Sequence, residues 1–342
     1  MSLRAGDWVR VRSEDEILAT LDGRACLDGL PFMPQMVRYC SRRFRVSHRA
    51  HKLCDTANET GARRMPNAVL LDGIRCDGSD YGGCQMECLI LWKESWLVKV
   101  DGEISTESSG PSVSDGRLLR LAMAGARRAG GQHEALPVYA CQATELPRAT
   151  TWLSVWSPGQ YVDDWVSGNA TLREIAGALL LLMYDAFANA GIGLGTPMRI
   201  AYEWVRRFYD GASYPARPGK LHRGGKTPSV SLGLAAGDTV RVKDHARILT
   251  TVTEDLVNRG MAFHPDMVRY CTRTFQVRRR VSRIINEKTG ELMELRNPCI
   301  VLDGVQCSGS LTKPLLCPRG MFPYWREIWL DRVDGAPRPK ED

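Results

Sequence analysis

Apolar and polar positions alternate in short runs along much of this chain. Val9 and Val11 are interleaved with Arg10 and Arg12, and Phe44 and Val46 with Arg43 and Arg45. That period of two is the pattern of a half-buried β-strand. Ala68–Ile74 and Ile300–Val305 predict further strands. Arg280–Ile285 and Glu291–Leu295 flank Asn286–Gly290 as the arms of a hairpin with a glycine-containing loop. Only Ile17–Leu21 and Ile248–Leu256 read as helical in these regions, and both are short.

The middle of the chain has a different texture. Leu118–Arg128 predicts a short basic helix ended by Gly130 and Gly131. Thr171 and Glu174 form a capping-box pair that opens a helix reaching about Asn189, where Gly191, Gly193, Gly195 and Pro197 stop it. On that helix Leu172, Ile175, Leu179, Met183, Ala186 and Phe187 share one sector, and Arg173, Glu174, Asp185 and Asn189 another. This describes a core or interface helix rather than an integral span, which needs ~20 apolar residues without a central acid. Peripheral membrane contact is the alternative, because basic residues follow it.

The strongest signal is self-similarity. Gly6-Asp7-Trp8-Val9-Arg10-Val11 recurs as Gly237-Asp238-Thr239-Val240-Arg241-Val242, and Met36-Val37-Arg38-Tyr39-Cys40 as Met267-Val268-Arg269-Tyr270-Cys271. Without a gap, 26 of the 74 positions from 6 to 79 match those 231 residues later. After a two-residue insertion, Cys84 matches Cys317, and the Trp92, Trp96, Leu97 pattern matches Trp325, Trp329, Leu330. A module of about 100 residues is therefore duplicated, each copy long enough to fold on its own. The opening Gly-Asp-x-Val-Arg-Val strand resembles that of SH3-like barrels in translation proteins and enzyme accessory subunits. The longer Met-Val-Arg-Tyr-Cys and Trp-x-Glu-x-Trp-Leu motifs resemble those of a bacterial family of unassigned activity. The resemblance implies a binding role toward peptides, RNA or partner subunits, since fold alone does not choose among them.

The expected architecture is mainly β with an α-containing insert: two homologous small SH3-like β-barrel modules flank a partly helical middle region. The first module occupies 1–102, a Ser/Gly-rich linker 103–118, the mixed insert 119–235, the second module 236–335 and a polar tail 336–342.

Composition adds the chemistry. The chain has 342 residues, a net charge of +7 and 11 cysteines. The residues after Met1 carry no apolar run of a secretory signal, so a reducing, cytoplasmic location of bacterial type is expected. In the first copy Cys54, Cys76, Cys84 and Cys88 are candidates for a tetrahedral structural zinc. Buried or redox-active thiols and an iron–sulfur centre are the alternatives. In the second copy Cys299, Cys307 and Cys317 form an eroded version, with Cys271 a conceivable fourth ligand. Cys40 and Cys271 read better as core residues, and Cys26 has no counterpart. His51 could replace a cysteine ligand but is expected to face solvent. The paired tryptophans read as a core wall, or, if exposed, as a stacking platform.

Cys141, near His133 and Glu134, reads as a packed thiol, with a catalytic nucleophile as the alternative. Arg199, Arg206, Arg207, Arg217, Lys220, Arg223 and Lys226 face only Glu203 and Asp210 between 196 and 230. Residues 215–228 read as irregular and mobile. An anionic partner, RNA or a membrane surface, could use this stretch. Gly225-Lys226-Thr227 lacks the first glycine of a phosphate-binding loop, and Pro228 opposes the helix that must follow one. No complete triad, paired-carboxylate motif or nucleotide fingerprint is present. The expectation is a metal-stabilised tandem binding scaffold for a protein or anionic partner. A thiol-dependent enzyme or accessory subunit using Cys141 and an RNA binder through 199–226 are its rivals.

Overall fold

The structure is a computed structural model that describes residues 2–58, 61–102, 115–128, 137–188, 195–205, 217–309 and 315–333. Strands predominate and form two curled half-barrel sheets. The chain divides into two compact units. One comprises Met1–Ala176, Arg283–Glu294 and Thr312–Gly320, and the other Gly177–Ser282, Leu295–Leu311 and Met321–Asp342. Among the described residues no helix is long and apolar enough to cross a membrane.

The first unit opens with β1 (Trp8–Val11), whose Val9 and Val11 are buried while Arg10 and Arg12 lie toward solvent. Ser13 and Glu16 then form a reciprocal capping box for α1 (Glu14–Leu18). The strands that follow are β2 (Arg43–Arg49), β3 (Lys52–Asp55), β4 (Gly61–Arg64), β5 (Ala68–Arg75), β6 (Leu89–Lys93) and β7 (Leu97–Lys99). The main sheet has the order β6-β5-β2-β1-β7, with antiparallel neighbours. The β3–β4 hairpin pairs instead with β8 (Thr151–Leu153) of the insert, in the order β8-β4-β3. Trp92 on β6 and Trp96 in the turn after it are fully buried around Phe32, with ring centroids 6.3 and 5.2 Å away, edge to face. The core-wall reading of the tryptophans therefore holds.

In the insert, α2 (Arg117–Gly125) occupies the expected helix, and α3 (Gly159–Val166) adds one with no counterpart among the expected elements. Thr171 and Glu174 make the expected capping box on α4 (Leu172–Ala188). Of the two readings of α4, core or interface, the core one fails for most of the apolar sector: Ile175 is buried, but Leu172, Met183 and Phe187 are exposed. A final helix, α5 (Gly195–Val205), contains Arg199.

The second unit repeats the plan. It comprises β9 (Thr239–Val242), α6 (His245–Leu249), β10 (Thr274–Ile285), β11 (Leu292–Leu302) and β12 (Leu330–Arg332), with sheet order β11-β10-β9-β12. Trp325 and Trp329 surround Phe263 at 6.3 and 5.2 Å. The indole N–H of Trp96 donates to Thr20 Oγ1 at 3.1 Å, and that of Trp329 to the equivalent Thr251 Oγ1 at 3.0 Å. Backbone strain repeats too: Ala25, Asp28 and Ser41 at φ 58°, 49° and 61° correspond to Leu256, Arg259 and Thr272 at 61°, 46° and 67°. Left-handed backbone is uncommon for residues other than glycine, so its recurrence shows that both copies use the same turns. The expected hairpin is present. Gly290 N–H donates to Asn286 O and Asn286 N–H to Glu291 O, and this end of β10 and β11 belongs to the first unit.

Residues 217–228 are not a loose tether. Lys220 N–H donates to Leu249 O, Leu221 N–H to Val252 O and Glu254 N–H to Leu221 O. Thr227 Oγ1 accepts from Arg259 N–H, and Pro228 O from the Asn258 amide. The expected mobile stretch is corrected here: its prolines exclude regular structure but leave its carbonyls and hydroxyls free to bond the repeat.

Candidate functional site

Two features of the first unit stand out chemically: a thiol centre and a helix whose polar side faces inward. The thiol centre starts from the loop after β5. Gly78 adopts φ 73°, and a Cβ there would lie 1.9 Å from Cys84 O, so only glycine lets the loop fold this tightly. The fold brings Cys76, Cys84, Cys88 and Cys141 to the wall of one cavity of about 40 Å³, together with Tyr81 and Arg319. Its remaining lining is largely apolar. Gln35 Nε2 donates to Cys76 Sγ at 2.9 Å, and Ile285 N–H to Cys84 Sγ at 3.4 Å.

Burial pushes the Cys76 thiol up to about 12. Burial also raises Cys141 and holds Cys88 and the Tyr81 hydroxyl well above their ordinary ranges. These groups are neutral at physiological pH. Cys141 is half-buried against the first core; Arg148, the one nearby cation in sequence, is engaged by Glu145 at 2.8 Å. His133 and Glu134 lie outside the described residues.

Cys54 is drawn elsewhere. Its N–H donates to Cys317 Sγ at 3.3 Å, and the two side chains share a hydrogen bond. Arg319 Nη1 donates to Cys54 O at 2.9 Å and to Thr56 Oγ1 at 2.8 Å. Its other terminal nitrogen lies 3.6 Å from Glu287, which also accepts from Thr56. The Cys317 thiol, donating to Cys54, and then the buried Arg319 guanidinium hold Cys54 down at about 6 against burial. Cys317 is raised in consequence. Between these limits the pair carries one proton, and Arg319 favours the charge on Cys54.

Three of the four proposed zinc ligands, Cys76, Cys84 and Cys88, thus share a cavity, and the fourth, Cys54, meets Cys317 and a cation instead. Of the second set, Cys317 belongs to the first unit and Cys299 and Cys307 to the second. Cys299 lies 3.4 Å from Met261 Sδ and 3.5 Å from Arg326. Among the described residues no group of three or more His, Cys, Asp or Glu is placed to hold a metal ion. Cys40 and Cys271 are half-buried against the two cores, and burial pushes both up to about 12.

The thiolate assignment predicts a pH dependence. An acid whose pKa is lowered is ionised above that value and loses its charge as pH falls through it. Carboxamidomethylation of Cys54 is expected to accelerate through about pH 6 and level off before pH 8, ahead of an ordinary thiol at ~8.5. In Arg319→Ala the rise is expected at higher pH, and the rate at pH 7 is expected to fall about tenfold as the thiolate fraction drops. Peptide mass spectrometry of timed quenches reads both.

His51 overturns its expectation of solvent exposure. It is buried, and its Nε2 lies 3.2 Å from both Gln160 O and Asp164 Oδ1. Beside it Lys52, wholly buried, pairs with the equally buried Asp164 and sits 4.9 Å from the Tyr161 ring centroid. Burial lowers the Lys52 pKa despite this partner. Gln160 and Asp164 are one helical turn apart, and both point inward from α3. Gln160 Nε2 also donates to Ser154 O, Val155 O and Ser157 O, which fixes the turn bearing Trp156.

The opposite side of α3 is apolar and faces solvent: Val162, Trp165 and Val166 are 57, 55 and 44% exposed. Trp152 and Trp156, at 66 and 67%, are exposed just before the helix. Sequence reasoning missed this because Lys52 and His51, which make the polar side the inward one, lie about 110 residues earlier.

Of the basic cluster, Arg206 and Arg207 lie outside the described residues. Lys220, Arg223 and Lys226 are exposed and Arg217 is half-buried. Arg223 contacts Asp255 at 2.7 Å and Glu254 at 3.8 Å. No family model, curated protein or solved structure matches the chain.

Proposed function

We propose that the protein is a non-enzymatic binding scaffold that docks a partner protein on the tryptophan face of α3. The observation that carries this reading is the orientation of α3. It turns Gln160 and Asp164 to the interior and leaves Val162, Trp165 and Val166 in water, with Trp152 and Trp156 exposed in the residues just before the helix. Apolar surface kept from burial forgoes about 25 cal/mol per Å², and contiguous exposed patches of this kind mark interaction sites. Tryptophan is also the leading anchor residue of protein interfaces.

The partner's chemistry follows from the charge of the face. Apart from the inward Asp164, the charged residue of α3 is the half-buried Asp163, and α3 has no cation, which suits aliphatic or aromatic anchors flanked by Lys or Arg. An anionic membrane is the poorer match, because helices that lie on one present Lys and Arg beside the apolar face. The half-barrel sheets accord with SH3-like modules acting as supports, but their tryptophans are buried and offer no platform. The RNA reading draws less support, since Arg223 is already paired with acids. The thiols favour a scaffold without requiring zinc at Cys54, where Arg319 supplies the compensating charge.

A photo-crosslinking residue placed at Val162 tests the proposal in cells. The expected result is a discrete crosslinked protein which, once identified and purified, shifts the tryptophan emission to shorter wavelength on binding. Trp165→Ser is expected to weaken that binding at least tenfold with an unchanged melting temperature, as for other exposed substitutions. Crosslinking to lipid alone, or a purified candidate whose binding ignores Trp165→Ser, overturns the proposal.

A further inference from the structure

We infer that Cys54 and Cys317 form a redox-active dithiol that reacts with low-molecular-weight disulfides and closes to an intrachain disulfide. This rests on the thiol centre alone and is independent of the α3 face. The two side chains are already hydrogen-bonded to each other, and Cys54 N–H donates to Cys317 Sγ at 3.3 Å. Their exposures differ in the sense that the chemistry needs. Cys54 is partly accessible and Cys317 is buried, so the first is the attacking sulfur and the second the resolving one.

The cation that favours the attacking thiolate is built in. Arg319 is buried and is oriented by Cys54 O, Thr56 Oγ1 and Glu287, so its position does not depend on the redox partner. The cavity thiols Cys76, Cys84, Cys88 and Cys141 contrast with this pair: burial holds Cys76, Cys88 and Cys141 neutral, and Cys84 Sγ is occupied by the Ile285 amide. A fixed guanidinium beside a thiol pair selects which sulfur attacks.

The step balances as a thiol–disulfide exchange. The Cys54 thiolate attacks one sulfur of the small disulfide, breaking its S–S bond and expelling one thiolate, which leaves a mixed disulfide on Cys54. Cys317 gives up its proton to that leaving thiolate and attacks Cys54 Sγ, expelling the second thiolate, which solvent protonates. Two protein thiols are oxidised, and one disulfide is reduced to two small thiols.

Oxidised glutathione incubated with the reduced full-length chain is the test. The expected product has lost two hydrogen atoms, and its peptide map joins the Cys54 and Cys317 peptides. Cys317→Ser is expected to stop at a glutathione adduct on Cys54, and Cys54→Ser to give neither product, with Cys141→Ser reacting as the native chain does. Arg319→Lys, which keeps the charge, is expected to retain closure, whereas Arg319→Met slows adduct formation at pH 7 at least tenfold. Should a variant fail to fold, the native chain's map decides by itself. A stable adduct on Cys54 without closure, oxidation at Cys76 or Cys88 first, or a native chain isolated with zinc bound by Cys54 and Cys317 overturns the inference.

Discussion

Asp164→Ala is expected to destabilise the first unit by about 3–5 kcal/mol, the cost of leaving one member of a buried ion pair uncompensated. Lys52 is fully buried, with Asp164 as its ionic partner, and burial already disfavours its charged form. Removing the carboxylate strands the ammonium and also deprives His51 of the oxygen 3.2 Å from its Nε2. Urea denaturation followed by circular dichroism measures the loss. The companion double variant Lys52→Met, Asp164→Leu is expected to recover most of it, because an apolar pair of similar volume avoids desolvating two charges. If the double variant is no better than the single one, the ion pair is not what holds α3 in place.

Trp329→Ala is expected to cost about 3–5 kcal/mol, and Trp96→Ala nearly the same. Each indole is fully buried, packs edge to face on a phenylalanine at 5.2 Å and donates to a threonine hydroxyl. Truncation opens a cavity and leaves that hydroxyl one partner short. The cost of a cavity depends on how well its walls relax, and here the walls are equivalent residues. Equal losses within ~1 kcal/mol are therefore expected from thermal melts of the two variants. A disparity of several kcal/mol would show that the copies share geometry but not packing strength.

The two results bear on what the chain discloses in one dimension. Local signals carried well: the period-two strands, the Asn286–Gly290 hairpin and the Thr171–Glu174 capping box each depend on neighbours a few residues away. The duplication also carried, down to paired turns with left-handed backbone. What did not carry is the partner of a side chain when that partner is remote. Cys54 reads as a ligand of its own copy's loop, yet its N–H donates to the sulfur of Cys317, 263 residues on. Both loops carry a cysteine at the equivalent position, Cys84 and Cys317, so periodicity and spacing cannot tell a contact within a copy from the equivalent contact between copies. The His51–Lys52 pair has the same history. His51 reads as solvent-facing, and only the inward side of α3 makes it and Lys52 interior. The apolar sector of α4 illustrates the converse, since a hydrophobic stripe specifies an appetite for burial but not that the chain itself supplies the cover.

The two sulfur contacts correspond through the repeat. Cys54 N–H reaches Cys317 Sγ, and Ile285 N–H reaches Cys84 Sγ. Position 285 is the counterpart of 54, and 317 that of 84. The contacts are therefore reciprocal: the same strand end in each copy receives the same loop from the other. A polypeptide holding a single copy satisfies neither half alone, whereas two such polypeptides meeting about a two-fold axis satisfy both. Reciprocity of this kind is what an isologous contact between two copies of one module produces. The equivalence is broken at one position: Ile285 stands where the first copy has Cys54, so the thiol pair exists on one side only.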